Sequence, residues 1–402
     1  MQIDRIQIYD LAIPFRATVR HSLYARSQTQ SIVVVVQDRA GHTGFGEGTP
    51  RDYVTGEPLD RSLAAAKALA QQMIGRCLES KAELETLLTH VGDSDAAVSN
   101  PAAVCALEIA LLDLWAGAAR MPLYRLFRSA GSAERPEGDQ GVPDRLTYSG
   151  VIPLTRDDAE LERYLGLVRR LDLATVKVKV DDSDQSLSRL RFIRRKLGDG
   201  LDLRVDANGA FAAQGALAFI RKAASVRLSA VEQPVAGNDL DGLKQVTRSS
   251  EVPIIADESM YTAHGPYHLI DHQLCHGLNI RLSSCGGFRK AQALYRRAVQ
   301  NRMTVVLGAH VGESAILSFA GRHLAAICPG AAYLEGSFSK YVLQEDLVRD
   351  DISLGAGGAV PVPQGPGLGV EIDAAAIEKW ARCYADLTAP KRRPPMQAKG
   401  EA

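Results

Sequence analysis

Two kinds of cysteine pattern are missing from the sequence. Its six cysteines are scattered along the chain, and no two of them form a CxxC pair. Such spacing argues against both a disulfide framework and a zinc site. The pattern is typical of reduced thiols, and we therefore expect a cytoplasmic protein.

A surplus of charge and a long apolar run are also missing. The 47 Lys and Arg residues balance 47 Asp and Glu residues, so we expect no nucleic-acid partner. No uninterrupted apolar stretch approaches the roughly 20 residues that span a bilayer, so we expect no membrane partner. The start, MQIDRIQIYD, alternates like a strand and does not resemble a signal peptide.

The sequence lacks the Gly-rich phosphate loop that usually follows the first strand of a doubly wound sheet. From residue 146 onward, short apolar runs alternate with amphipathic helical patterns. The runs are LTYSGVI, ATVKVKV, LDLRVDA, SAVEQP, VPIIAD, GLNIRLS, MTVVLGAH and AAYLEG. This alternation predicts a βα barrel over residues 145–340.

The residues before the barrel follow a different pattern. Strand patterns at 3–15 and 31–38 and the strand TGFGEG predict an antiparallel meander. Helical patterns follow at 58–76, 81–91 and 101–118. We therefore predict an α+β domain over residues 1–130.

Two further segments separate or follow these domains. The stretch 129–145 is rich in Gly, Pro and charge and predicts a connection. After the barrel, 373–384 has a short helical pattern, and the tail 391–402 is expected to be disordered.

Three carboxylates close consecutive barrel strands. Asp206 ends LDLRVD, Glu232 ends SAVE and Asp257 ends VPIIAD. Carboxylates at the C-terminal ends of neighbouring strands face one mouth, where they would repel each other unless a cation joined them. A set of oxygen ligands without Cys or His suits Mg²⁺ or Mn²⁺. The pattern predicts a divalent metal site.

Two lysines precede this trio. Lys177 and Lys179 lie in TVKVKV, where alternation sends both side chains to one face of the strand. A lysine near other cations has a lowered pKa and can accept a proton near neutral pH. With a metal holding a substrate carboxylate, the combination predicts removal of the proton α to that carboxylate.

An ordered set of motifs resembles the enolase superfamily, in its mandelate racemase and muconate lactonizing enzyme branch. The set is GFGEG, CALEIALLDLWAG, KVK, DAN, VEQP, ADES, a Gly pair after strand six, and GPGLGVEID. The resemblance implies an α/β fold, a modified TIM barrel (β/α)₇β with an N-terminal α+β capping domain that the segment 345–390 completes.

The resemblance also implies roles for residues. Asp206, Glu232 and Asp257 would bind Mg²⁺, or Mn²⁺, which would stabilise the enolate. Lys179 would be the α-proton base, and Lys177 would lower its pKa and contact the substrate carboxylate.

Several positions depart from the family pattern. Arg281 stands where the muconate branch carries a second lysine, and arginine, which stays protonated, would act as a fixed cation. Ser284 replaces another common lysine. His310 lies near the position of the histidine base of mandelate racemases, but Leu278 stands where its acidic partner is expected. A packing role for His310 therefore remains an alternative.

Glu335 on strand eight resembles the position of the electrophilic acid of mandelate racemases. The strand lacks the Asp-x-Asp pair by which dipeptide epimerases hold the substrate amino group, and this weakens a dipeptide interpretation.

Candidate substrate-binding residues lie in two loops of the capping domain and after strand three. Their cationic members indicate an anionic substrate, while solvated surface loops are the alternative. They are Arg16, Arg20, His21, Tyr24, Arg51, Asp52, Tyr53 and Asn208.

The sequence thus predicts an isomerase, either a cycloisomerase or a racemase or epimerase, that acts on a small carboxylate. A lyase that dehydrates a hydroxy acid is one alternative, and a non-catalytic barrel that binds a ligand is another. Members of the family often form dimers or octamers, so we expect a homo-oligomer.

Overall fold

The computed structural model describes residues 1–20, 24–128 and 141–390. His21, residues 129–140 of the predicted connection and the predicted tail at 391–402 lie outside these ranges.

The strands of the described residues are β1 Ile3–Leu11, β2 Pro14–Arg20, β3 Ala25–Gln28, β4 Ser31–Asp38, β5 Thr43–Gly48, β6 Arg145–Thr147, β7 Gly150–Ile152, β8 Thr175–Lys179, β9 Asp202–Asp206, β10 Val231–Glu232, β11 Ile254–Ala256, β12 Gly277–Arg281, β13 Thr304–Gly308, β14 Tyr333–Leu334, β15 Ala359–Pro361 and β16 Ala381–Thr388.

The helices are α1 Asp52–Thr55, α2 Leu59–Met73, α3 Lys81–Gly92, α4 Asp95–Val98, α5 Pro101–Ala118, α6 Asp158–Arg170, α7 Asp184–Leu197, α8 Ala213–Lys222, α9 Leu240–Ser249, α10 Gly265–Asp271, α11 Leu282–Cys285, α12 Phe288–Gln300, α13 Ala315–Ile327, α14 Ser339–Val342 and α15 Ala374–Trp380. Short 3₁₀ helices cover Leu123–Phe127, Ala224–Val226, Glu258–Tyr261 and Ala356–Gly358.

The N-terminal part pairs an antiparallel sheet, of order β16-β1-β4-β5, with α5. The glycines of TGFGEG explain how closely strand and helix approach. A Cβ at Gly44, Gly46 or Gly48 would lie 1.9–2.2 Å from a carbonyl oxygen of α5. Only glycine at alternate positions of β5 lets the helix backbone lie directly on the strand.

Helix α5 is long and strongly apolar. Among the described residues, it has the length and composition to cross a membrane, and 78% of it is buried inside the protein. A helix that is apolar on all sides is also typical of a protein core.

The second part is a parallel sheet of order β14-β13-β12-β11-β10-β9-β8-β7. A parallel bridge joins Tyr148, just before β7, to Leu334 in β14, so the two edge strands meet and the sheet closes into a barrel. The register aligns Lys179 with Asp206 and Asp206 with Glu232. This alignment brings the polar residues at the strand ends to one level of the barrel mouth.

The C-terminal segment differs from the sequence prediction. The helical pattern predicted over 373–384 covers α15 but ends at Trp380, where the chain becomes β16. Strand β16 pairs antiparallel with β1, from Leu11 opposite Ala381 to Arg5 opposite Thr388. The free edge of β1 offers hydrogen-bond partners that a local helical preference cannot match, so tertiary pairing decides this segment.

Candidate active site

Three buried carboxylates converge at the barrel mouth. Asp206, Glu232 and Asp257 each offer one oxygen, and these oxygens lie within 4.8 Å of one another. The exposed fractions of the three residues are 0%, 1% and 0%. Oδ1 of Asp257 has no hydrogen-bond partner, although it is buried. An orphaned buried oxygen beside two further carboxylates fits a divalent cation that prefers oxygen ligands.

Lys177 is enclosed by carboxylates. Its Nζ donates to Glu232 at 3.0 Å and to Glu335 at 2.7 Å, and it lies 3.3 Å from Asp206. Burial lowers the pKa of Lys177, but the charges of Glu232, Glu335 and Asp206 outweigh burial and raise it. Lys177 is therefore held as a fixed positive charge inside the barrel.

Lys179 faces the cavity more openly. Its Nζ donates to Oδ2 of Asp206 at 2.6 Å and to Oδ1 of Asn208 at 2.8 Å. Asn208 has a left-handed backbone with a φ of 45°, which asparagine tolerates better than most residues. Its amide also donates to Glu258 at 2.8 Å, which fixes the oxygen toward Lys179. The base candidate is thus oriented by two partners.

The charges of these carboxylates depend on their partners. Burial raises the pKa of Asp206, yet the neighbouring charges of Lys179 and Lys177 outweigh burial and lower it. The pKa of Glu232 is raised by burial and then by the charge of Asp206. Placing several carboxylates close together is unfavourable because their negative charges repel, and this repulsion contributes to the raised pKa of Glu232. A bound dication would relieve the repulsion.

Arg204 and Glu335 form a second layer beneath this group. Arg204 lies inside the barrel with 1% exposure, pairs with Glu335 and donates to Glu232 at 3.3 Å. Its guanidinium lies 4.5 Å from the centroid of the Tyr333 ring. Burial raises the pKa of Glu335, but the charges of Lys177 and Arg204 outweigh it and lower the pKa to about 2.

Two further residues inside the barrel, Arg204 and Asn279, were not among the predicted site residues. Nδ2 of Asn279 donates to Glu232 at 2.8 Å. A signal for both was present in the sequence, because each is a polar residue inside an apolar strand pattern. Arg204 lies in LDLRVD and Asn279 lies in GLNIRLS. Such a residue has to point into the barrel and find a partner there.

A chain of polar side chains occupies the other side of the mouth. Arg281 pairs with Asp257 through one nitrogen and contacts Nδ1 of His310 at 3.0 Å through another. Because arginine can only donate, Nδ1 of His310 accepts. Nε2 then carries the ring proton and donates to Oγ of Ser284 at 2.7 Å. Both ring nitrogens of His310 are therefore engaged.

The charge state of His310 agrees with this assignment. Burial and then the charges of Arg281, Arg51 and Arg26 lower the pKa of His310 well below its usual value. Its backbone N–H donates to Glu313 at 2.7 Å, and burial raises the pKa of that carboxyl to about 8. His310 is thus a neutral ring among cations.

A cavity of about 230 Å³ connects the two sides of the mouth. Most of the predicted site residues line it. Those that do are Arg16, Arg20, Tyr53, Lys177, Lys179, Asn208, Arg281, His310 and Glu335.

Some loop candidates are placed elsewhere. Tyr24 does not line the cavity but stacks on Tyr53, with ring centroids 5.2 Å apart. Arg51 is buried and donates to the backbone carbonyls of Gln30, Pro50 and Val311, while Asp52 lies exposed at the start of α1.

Arg26, which the sequence analysis did not select, does line the cavity. It is 7% exposed, and its guanidinium lies 4.8 Å from the Tyr24 ring centroid and 5.6 Å from that of Tyr53. The stack holds the cation at the cavity wall.

Comparisons with known proteins agree with this geometry. The family described as "Enolase C-terminal domain-like" matches residues 160–376, and "Mandelate racemase / muconate lactonizing enzyme, N-terminal domain" matches residues 6–127. These matches confirm the resemblance drawn from the motifs and, together with the observed strands, the barrel with its N-terminal cap.

Individual relatives cover almost the whole chain. The L-Ala-D/L-Glu epimerase of Bacillus subtilis is 28% identical over 92% of this chain and 97% of its own length. Muconate cycloisomerase 1 of Rhodococcus opacus is 26% identical over 95% of this chain and 99% of its own.

Among solved structures, the dipeptide epimerase from Enterococcus faecalis, complexed with Mg and the dipeptide L-Leu-L-Tyr, superimposes with a TM-score of 0.82. It is 26% identical and covers 92% of this chain and 100% of that chain. The relatives named here are isomerases, which supports the predicted isomerase over the predicted dehydratase. The chain belongs to the enolase superfamily, in its mandelate racemase and muconate lactonizing enzyme branch, and is an isomerase of that branch.

Proposed function

We propose that this isomerase uses Mg²⁺, or Mn²⁺, to act on a small carboxylate and that removal of the proton α to that carboxylate is its first chemical step. One observation carries the proposal. Three buried carboxylates converge within 4.8 Å beside a lysine whose amine lines a cavity of about 230 Å³.

Asp206, Glu232 and Asp257 would hold the metal. Their oxygen-only set and the orphaned Oδ1 of Asp257 fit a hard divalent ion. When bound, the ion would act as a Lewis acid that holds the substrate carboxylate and stabilises negative charge on its oxygens.

Lys179 would be the base. Its Nζ has partners on one side, Asp206 and Asn208, and its side chain borders the cavity. Lys177, fixed deeper by Glu232 and Glu335, would supply positive charge that attracts the substrate carboxylate. Because Glu335 is held ionised between two cations, its proposed role is to hold Lys177 and not to act as an acid.

Arg281 would serve the opposite face as a fixed cation, and His310 would position it. The guanidinium stays protonated, and both nitrogens of His310 are engaged by Arg281 and Ser284. One competent base favours cycloisomerisation, in which a proton is exchanged on one face only.

Epimerisation or racemisation is the second candidate, because relatives such as the Bacillus subtilis enzyme are epimerases. It would require His310 or Arg281 to exchange a proton with the substrate on the second face.

The cavity wall indicates a substrate with a further anionic group. Arg16, Arg20 and Arg26 line the same cavity as the two lysines. Nε of Arg26 is buried without a hydrogen-bond partner, so a ligand oxygen would satisfy it. A homo-oligomeric state and a cytoplasmic location remain predictions.

The test is a screen in D₂O with Mg²⁺. Dipeptides, N-acylated amino acids, muconates and sugar acids are incubated with the protein, and ¹H NMR follows the α-proton of each stereoisomer. We expect a carboxylate that loses its α-proton signal and isomerises, and we expect chelation of the metal to stop both. Isomerisation that continues in a chelator at the same rate would contradict the proposal.

A further inference from the structure

Three histidines follow one another at helical spacing outside the barrel mouth. His264, His268 and His272 lie at i, i+4 and i+8 in HGPYHLIDH. Helix α10 spans the residues between the outer two, and His264 at its N-cap already has helical backbone angles, φ −77° and ψ −26°. This spacing places all three rings on one face of the helix.

The rings stand close together. The centroids of His264 and His268 are 4.9 Å apart, and those of His268 and His272 are 4.3 Å apart. A nitrogen ligand lies about 2.0–2.1 Å from a zinc ion, so two rings at these separations can reach one ion after side-chain rotation.

The nitrogens of these rings have no hydrogen-bond partner among the residues that the structure describes. Within the described ranges, no hydrogen bond or ion pair is made by the side chains of His264, His268 or His272. Two other histidines differ: His276 accepts from the backbone of Ile254, and His42 pairs with Asp38. The three rings thus leave lone pairs available to a ligand.

A neutral imidazole has a lone pair on one ring nitrogen, and this is the form that binds metal.

We propose that His264, His268 and His272 form a second metal site that takes a borderline transition-metal ion, Zn²⁺, Ni²⁺ or Cu²⁺. Imidazole suits these ions, whereas the carboxylates of the mouth suit Mg²⁺. His268 is shared by two overlapping i, i+4 pairs of the kind that binds zinc on helices. The ion is held by two imidazoles at a time, and water completes its coordination.

The site lies on the segment that follows a metal-ligand candidate. Asp257 precedes the 3₁₀ helix Glu258–Tyr261, and α10 packs against that helix. The proposal does not depend on the chemistry at the mouth, since none of its ligands belongs to the carboxylate group.

The test is calorimetric titration of the full chain with ZnSO₄ in excess Mg²⁺, which occupies the carboxylate group. We expect one zinc ion per chain. His268→Gln removes both pairs and is expected to weaken binding about 10²-fold, because chelation is lost. His264→Gln and His272→Gln each leave one pair and are expected to weaken binding only about twofold.

Two matched variants separate this site from others. His90→Gln replaces an exposed histidine on α3 and is expected to leave zinc binding unchanged. Asp206→Asn alters the carboxylate group and is also expected to leave it unchanged. Equal zinc affinity in wild type and His268→Gln, or no zinc uptake by wild type in Mg²⁺, overturns the proposal. Far-UV circular dichroism of each variant checks that α10 and the barrel remain folded.

Discussion

Two pairs of buried carboxylates in this protein have pKa values shifted in opposite directions. At the barrel mouth, Asp206 and Glu335 are paired with lysine and arginine, and both have lowered pKa values. At the seam between the cap and the barrel, Glu108 and Asp113 accept hydrogen bonds from backbone N–H groups, and burial raises the pKa of each to about 7. Burial is similar in both groups, so the partners decide the charge.

The seam carboxylates connect secondary-structure elements. Glu108 on α5 accepts from the backbone N–H of Arg289 at 3.0 Å, in the first turn of α12. Asp113 accepts from Phe45 at 2.8 Å and from Leu368 at 2.7 Å. Glu108 thus joins the cap to the barrel, and Asp113 joins α5 to β5 and to the C-terminal segment, whereas the mouth group concentrates charge where a substrate can meet it.

The Gly pair Gly286 and Gly287, which follows β12 and α11, belongs to this seam. Gly287 has a φ of 106°, and a Cβ there would lie 2.7 Å from the carboxyl carbon of Glu108. The motif therefore makes room for the carboxylate that caps α12.

Removing the amine at the mouth is expected to have the largest effect. Lys179→Met should lower α-proton exchange by about 10²–10⁴-fold, because a positioned base is lost, and should leave Mg²⁺ affinity nearly unchanged. NMR exchange in D₂O measures the first, and calorimetry measures the second. Lys196→Met, at a surface lysine paired with Glu162, is the control and should exchange normally. Undiminished exchange in Lys179→Met would place the base elsewhere.

Changing a metal-ligand candidate is expected to have the next largest effect. Mg²⁺ at about 100 times its Kd should stabilise the wild type by about 2.7 kcal/mol. In Asp206→Asn the affinity should fall at least about 10-fold, which reduces that gain to about 1.4 kcal/mol or less. Thermal unfolding with and without Mg²⁺ measures the gain. Glu162→Gln, on the surface, should retain the full stabilisation by Mg²⁺. An unchanged stabilisation in Asp206→Asn would show that Asp206 is not a metal ligand.

Breaking the seam should affect stability and not chemistry. Glu108→Ala leaves the buried N–H groups at the start of α12 without an acceptor, and we expect a loss of about 1–3 kcal/mol in unfolding free energy. Glu108→Gln retains an acceptor oxygen and should lose less. Urea unfolding ranks the variants. A loss in Glu108→Ala no greater than in Glu108→Gln would show that the cap contributes little.

The smallest expected effect is a pH dependence that originates at the seam. The folded-state pKa of Glu108 is raised by burial to about 7, so the folded protein holds a proton that the unfolded chain releases. Its contribution to stability is present below the unfolded pKa and is lost as pH rises toward 7. Wild type should therefore lose on the order of 1 kcal/mol more than Glu108→Gln between pH 5 and pH 8. Urea titrations at several pH values measure the difference, and parallel pH curves would contradict it.

The sequence-based predictions rested on features that repeat or that end a strand. Alternating strands and helices gave the barrel, and Asp206, Glu232 and Asp257 were selected because each closes an apolar run. Features that depend on contacts between distant segments were not predicted. Arg204 and Asn279 lie in the middle of strands, and only barrel closure shows that they reach Glu232. Strand β16 required the free edge of β1.

The amino-acid sequence by itself determined the alternation of elements and which residues stand at the strand ends, because both follow from local periodicity and from the cost of burying a charge. Only the tertiary structure decided which charges became partners. It joined Arg281 to Asp257 and His310, stacked Tyr24 on Tyr53 at the cavity wall, and gave Glu108 backbone donors in place of cations. The physical reason is that the charge of a buried group depends on atoms a few ångströms away, which the sequence leaves far apart.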